Sequence, residues 1–407
     1  MIQLTPRERV LTALKHKEPD TIPWDLGGMR STGIMAIAYA KLRRALKLPL
    51  DGIKVYDVGQ QLAWVDEDIR RMFPIDVIAL DNGKVMADYL YGWRPYNLPD
   101  EERTNALLPA NFRVKEAEDG SRFLYEGDMV VGKMPSGGFY FDDVYHPLSN
   151  ADSVEDIEKW EMETLSEEFL TALRKEAKNL YENTDYAIMG SFGGNIIEGG
   201  QSLMGWENFM TALLADRKLV EALIEKLVEG YLRNLELYLD AVGDYIQIIQ
   251  MGDDLGTQNG PQLSPRLFKE LISPAHKRIY QFVHKKKPHI FVFLHSCGGI
   301  YELIPYLIEE GVDILNPVQT SAVNMEPERL KREFGKDIVF WGGGCDTQRV
   351  LPFATPKEVR EHVKERIRIF SEGGGFVFCQ VHNIQANVPV ENIIALMETV
   401  KEVKERG

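Results

Sequence analysis

A histidine and a cysteine two residues apart, His295 and Cys297, close the apolar run FVFLHSCGG at residues 291–299. Side chains two apart in an extended segment point the same way. An imidazole and a thiolate aimed into one space are borderline and soft donors, a pair that suits zinc. The chain has only 3 cysteines, and each ends an apolar run: Cys297 after FVFLHS, Cys345 after IVFWGGG and Cys379 after GFVF. An odd number argues against a disulfide framework. Each cysteine alone also reads as a small buried hydrophobe. Three of them at equivalent positions, with a histidine, favour a metal site.

Carboxylates and amides occupy similar positions. Asp253 and Asp254, in MGDDLGTQNG, follow the run YIQIIQ on a Gly-rich loop. Such a pair serves as general base or metal ligand, or caps a helix. Ser264 before Pro265 is the better cap for the next helix, which leaves the acids to the site. Glu198 follows YAIMG within SFGGNIIEGGQ, and His382, Asn383 and Gln385 follow the last apolar run within CQVHNIQANVP. The Gly triplets at 342–344 and 373–375 are explained by turns and helix ends as well as by phosphate binding.

These residues need strands to hold them. Seven short runs are almost continuously apolar: 76–80, 186–190, 245–250, 289–295, 312–316, 338–343 and 375–380. That pattern marks strands buried on both faces. Between them lie amphipathic stretches, such as residues 218–243 and the segment PKEVREHVKERIRIFSEGG, which carries Pro356 at its start and Gly373 and Gly374 at its end. Alternating strand and helix predicts a parallel sheet, and enough repeats close into a (β/α)8 TIM barrel with function at the C-terminal strand ends. Residues 82–147 break the pattern. RFLYEGDMVVGKMPSGGFYF reads as short antiparallel strands with Gly turns, an insertion at about 82–150 on a single domain spanning 1–407.

Composition narrows the partners. Of 407 residues, 47 are basic and 62 acidic, a net charge of -15, which disfavours nucleic acid and anionic membrane surfaces and reads as a solvated acidic exterior. No apolar run reaches membrane-spanning length. The first residues are charged and amphipathic rather than signal-like, so a cytoplasmic location is expected.

The chain resembles the uroporphyrinogen decarboxylase superfamily over nearly its full length. The resemblance lies in TPRERVLTALKHKEPDTIPWD, GDDLGTQNGPQLSPRLFKELISP, LHSCGGIYELIPYLIEEGVDILNPVQ, GGGCDTQRVLPFATPKEV and HNIQANVPVENIIAL. That superfamily contains porphyrin decarboxylases and zinc- and corrinoid-dependent methyltransferases on similar barrels. The decarboxylases carry an arginine-rich RQAGRY-type segment after the first PxW. Here the segment reads DLGGMRSTGIM, with Arg30 alone, a poor match for a substrate with eight carboxylates.

Similarity to the methyltransferase branch implies zinc on a His-x-Cys pair and a distant Cys after the last strand. The matching residues are His295, Cys297 and Cys379. Cys345 departs from that pattern and leaves the third ligand open between itself and Cys379. Glu198, an aspartate, water or substrate is the expected fourth ligand.

The HSCGG and HNIQ stretches look like the first methyltransferases of anaerobic O-demethylation, which move a methyl group from a methoxylated aromatic to a separate corrinoid protein. The resemblance then implies catalytic roles for Asp253, Asp254 and Glu198. It implies substrate contacts for Trp24, His382, Asn383 and Gln385. Trp206 and Trp341 are further candidates to pack on an aromatic ring, although core packing explains the tryptophans as well. A methylcobamide:thiol (coenzyme M-like) methyltransferase is the alternative, and a decarboxylase-like enzyme or a non-catalytic ligand-binding barrel stand behind it. The corrinoid is expected on the partner, because no Asp-x-His-x-x-Gly motif occurs here. Superfamily members are often homodimers.

Overall fold

In the computed structural model, which describes residues 3–406, seven parallel strands follow the seven apolar runs. They are β1 (Val77–Leu80), β2 (Ala187–Gly193), β3 (Ile248–Gly252), β4 (Phe291–His295), β5 (Ile314–Asn316), β6 (Val339–Trp341) and β7 (Phe376–Val377). They pair in chain order from β1 to β7. The eighth position is filled by a segment without strand length. Asp25 N–H donates to the Phe378 carbonyl at 2.9 Å, Phe378 N–H to Pro23 at 2.9 Å, and Asp76 N–H to Trp24 at 2.8 Å. The ring therefore closes between β7 and β1, and the fold is a (β/α)8 barrel.

Continuous apolar runs suit these strands because one face lines the barrel and the other meets helices. Inside, Val77, Met189, Ile248, Phe293, Ile314, Val339, Trp341, Val377 and Cys379 form one buried cluster. Val10 and Leu14 of helix Pro6–Leu14 join it from below, as a plug. Helix Arg217–Val242 and helix Pro356–Ser371 lie outside; the second starts on a Thr355–Glu358 capping box, as its sequence leads one to expect.

Residues 93–143 form short antiparallel strands, and the layer recruits segments outside the 82–150 span. Ile34–Met35, Leu62–Ala63 and Ile53–Asp57 join Asn105–Pro109 and Trp93–Asn97 in a five-stranded sheet. A four-stranded antiparallel sheet follows, ending at Asp142–Asp143. Among the described residues no helix is long and apolar enough to cross a membrane.

Candidate metal and active site

Register sets the layer on which the site is built. Gly252 of β3 pairs with His295 of β4, and His295 pairs with Asn316 of β5, all at C-terminal ends. Asn316 spends its Nδ2 on the Trp341 carbonyl at 2.7 Å, so its Oδ1 faces His295 Nδ1 at 2.6 Å as acceptor. That contact makes Nδ1 the donor to Asn316 and turns Nε2 toward the site. Nε2 lies 3.5 Å from Cys297 Sγ, 3.2 Å from Ser31 Oγ and 3.7 Å from Asp254 Oδ1.

A third donor joins this pair. Ligand atoms of His295, Cys297 and His382 all lie within 4.8 Å of one another. The group differs in one member from the expected His295, Cys297 and Cys379. Cys379 stands two residues beyond Val377 with the same inward parity, so it points to the barrel axis, fully buried, with Sγ 3.8 Å from Asn316 Nδ2. Cys345 is also buried, and its Sγ approaches only the Asp346 carbonyl, at 3.9 Å. His382, expected to contact substrate, is brought over the mouth by a left-handed turn, φ 65°.

The donor set fits zinc. A tetrahedral ion with Zn–S of about 2.3 Å and Zn–N of about 2.0–2.1 Å separates S from N by roughly 3.6 Å; the observed separation is 3.5 Å. Burial, and then the neighbouring His295, lower the His382 pKa to about 4, so the ring is neutral and free to ligate. Burial, then Asp254 and Glu198, push the Cys297 thiol well up. A cation at this point reverses that preference. The loop that presents Cys297 is closely packed. A Cβ on Gly298 (φ 90°) would sit 2.3 Å from the Gly256 backbone, so only glycine lets the two loops pass.

The two adjacent aspartates divide their work, because neighbouring side chains diverge. Asp254 turns to the site, and its Oδ1 accepts the Cys297 N–H at 2.8 Å. Asp253, expected among the reacting acids, turns away and is fully buried. Its Oδ2 accepts the N–H groups of Ile196 (3.1 Å) and Ile197 (2.9 Å), and its Oδ1 that of Glu198 (2.8 Å). It thereby caps helix Ile197–Met204, whose own first residues offer no side-chain cap. His276 Nε2 meets Asp253 Oδ2 at 2.9 Å, and Glu310 lies 3.3 Å beyond His276 Nδ1. His276 and Glu310 carry no sequence signal and escape a reading of motifs.

The capped helix presents Glu198. Its Oε2 accepts from Asn195 Nδ2 at 2.8 Å and from Asp254 N–H at 3.0 Å. Burial, then the charges of Asp254 and Asp253, raise its pKa well above the carboxylate range. Glu198 lines two cavities, of about 650 and about 620 Å³, which share Arg30 and Asp143. His295, Cys297 and His382 line neither cavity; Asp254 links them to Glu198, its N–H donating to Glu198 and its Oδ1 accepting the Cys297 N–H. Tyr56, Tyr91, Phe112 and Phe141 line the second cavity, and Trp206, 61% exposed, lines the first. Trp24 and Trp341 are fully buried: Trp24 packs edge-on against Phe73, and Trp341 Nε1 donates to Asp25 at 2.9 Å. Arg30 is the one arginine or lysine lining either cavity, and its Nε is 3.0 Å from Asp57. Asn383 is fully buried and, with Gln385, bonds to Tyr140 rather than to open space.

A family model described as uroporphyrinogen decarboxylase (URO-D) matches residues 143–403. The chloroplastic uroporphyrinogen decarboxylase of Nicotiana tabacum is 24% identical over 288 residues, 68% of this chain and 66% of the relative. A methylated-thiol–coenzyme M methyltransferase of Methanosarcina mazei is 25% identical over 140 residues, 34% of each chain. The solved structure of a methyltransferase from Methanosarcina mazei aligns over 98% of this chain and 99% of its own, with a TM-score of 0.56 at 15% identity.

Proposed function

For a chain that belongs to the uroporphyrinogen decarboxylase (URO-D) family, as this one does, we propose a zinc-assisted methyltransferase that takes a methyl group from a methoxylated aromatic and delivers it to a corrinoid on a separate protein. The observation that carries this reading is the convergence of His295, Cys297 and His382 at the barrel mouth. In this reading His382 takes the ligand place expected for Cys379. When bound, zinc supplies Lewis acidity toward the oxygen or sulfur of the substrate.

The chain's own residues supply the rest. Glu198 holds a proton at neutral pH, because burial and two flanking aspartates oppose its ionisation. Its Oε2 is committed to two N–H donors, so the proton resides on Oε1. From there it is delivered to the departing phenolate oxygen. Aromatic side chains of the second cavity bracket a ring. Asp254 fixes the Cys297 backbone, and Asp253 with His276 fixes the helix that carries Glu198. Arg30 as the one arginine or lysine of the two cavities, paired with Asp57, fits poorly with a polycarboxylate porphyrinogen. The thiol relative supports the second reading, transfer to or from a thiol, with the same residues in place.

The test is zinc analysis followed by methyl transfer to reduced corrinoid, with methoxylated aromatics and thiols compared. About one zinc per chain with turnover of the aromatics supports the proposal; a chain that binds no metal overturns it. Glu198→Gln is expected to lower the rate about 10²–10³-fold and leave zinc content unchanged. Cys379→Ser and Cys345→Ser are expected to keep the zinc. Loss of metal in Cys379→Ser, read by elemental analysis, would return that thiol to the ligand set.

A further inference from the structure

We propose that the antiparallel layer is a retention latch for the metal ligand His382, with Tyr140 and Gln60 as its two positioning residues. This rests on reading His295, Cys297 and His382 as the metal group. His382 occupies a left-handed conformation, φ 65°, that residues with a Cβ seldom adopt and that surrounding structure must impose.

The restraints upstream of His382 come from the barrel. Val381 N–H donates to the Cys345 carbonyl at 2.8 Å, and Gln380 Nε2 donates to Thr32 at 2.9 Å. Downstream they come from the layer. Tyr140 O–H donates to Asn383 Oδ1 at 3.0 Å, and Gln385 Nε2 donates to the same hydroxyl at 2.9 Å. Asn383 Nδ2 donates to Gln60 Oε1 at 2.8 Å. The two segments that carry the holding residues are joined, since Phe141 N–H donates to the Gly59 carbonyl at 2.8 Å. Ile384, between the two gripped side chains, is bridged to Ile34, with Met35 N–H on the Ile384 carbonyl at 2.8 Å.

The polar atoms of Asn383 are thus used up inside the fold, and it has no surface exposed to a ligand. Neither Tyr140 nor Gln60 belongs to the donor group; each acts on the metal through the turn at His382. A loop ligand held by such outer contacts binds its ion more tightly than the same ligand on a free loop, because the turn is ordered before the ion arrives.

The experiment is release of zinc from the loaded full chain to a colorimetric chelator, for wild type, Tyr140→Phe and Gln60→Ala. Far-UV circular dichroism on the same samples confirms that each variant is folded. Zinc is expected to leave both variants about 10-fold faster than wild type, with the fold unchanged. Equal release rates in all three overturn the latch and leave the metal site standing. A wild-type chain that binds no zinc overturns the metal reading, and the latch with it.

Discussion

Cys297→Ser is expected to abolish zinc binding, from about one ion per chain to none, and methyl transfer with it. The serine hydroxyl does not ionise under conditions in which a thiol does, and only the thiolate is a strong ligand. The fold has no reason to suffer. Cys297 is held through its backbone N–H by Asp254, and Gly298 N–H donates to Gln319; both contacts survive the substitution. The metal-free thiol carries its proton, because burial and the charges of Asp254 and Glu198 push its pKa well up. Zinc binding to wild type must therefore release a proton from Sγ, and a pH-stat titration at neutral pH is expected to read about one per ion. Cys297→Ser is expected to release none. A variant that retained stoichiometric zinc would show that His295 and His382 hold the ion with another partner.

His276→Gln is expected to produce the largest loss of stability. The imidazole is fully buried between Asp253 and Glu310, stacked on Tyr280 with ring centroids 5.2 Å apart. Burial opposes its charge, but the two carboxylates prevail and raise its pKa from 6.5 to about 9. A rise of that size corresponds to about 3 kcal/mol favouring the folded state. The sign follows from the raised value. The stabilisation is complete below pH 6.5, where the unfolded histidine is also protonated, and is lost as pH climbs through about 9. Urea unfolding of wild type is expected to show lower stability at pH 9.5 than at pH 6. His276→Gln is expected to be about 3 kcal/mol less stable at pH 6 and to lose less stability than wild type across that window, the remaining fall coming from the raised Glu198 carboxyl. Because Asp253 caps the Glu198 helix, the variant is also expected to lose activity while keeping zinc. Wild-type stability that rises between pH 6.5 and 9 would remove the charged imidazole from this account.

The barrel was legible because burial on two faces leaves a sequence mark that survives without knowledge of neighbours. All seven apolar runs became strands. Pro23–Asp25 was not legible: a single ladder bridge, Trp24 to Phe378, needs no strand-length pattern. His295 and Cys297 were legible because parity along a strand end is local. Cys379, expected as a third ligand, shows what such a run leaves open. The apolar run continues past Val377, so the sequence shows the cysteine at the mouth, whereas parity turns it into the interior. His382 reaches the mouth through a positive φ that no residue type in VHNIQ announces. The Asp253–Asp254 pair was visible as a motif, but which acid faced inward depended on helix Ile197–Met204 lying beside it, a contact between distant parts of the chain.

Asp76 gathers the chain's two ends. Its carboxylate takes Arg9 Nη1 at 2.6 Å, the Trp24 N–H at 2.8 Å and the ammonium of Lys404, all within a site where Asp76 is 1% exposed. Translation delivers these partners far apart in time. Arg9, Trp24 and Asp76 leave the ribosome early; Phe378, which hydrogen-bonds the Trp24 segment, and Lys404, 328 residues after Asp76, leave much later. The ring cannot close before the Phe378 segment meets Pro23–Asp25, and helix Val390–Arg406 then brings Lys404 onto Asp76 at that seam. A stop codon early in that helix removes the buried Leu396, Met397 and Val400 together with the ammonium that Lys404 places on Asp76 at the seam.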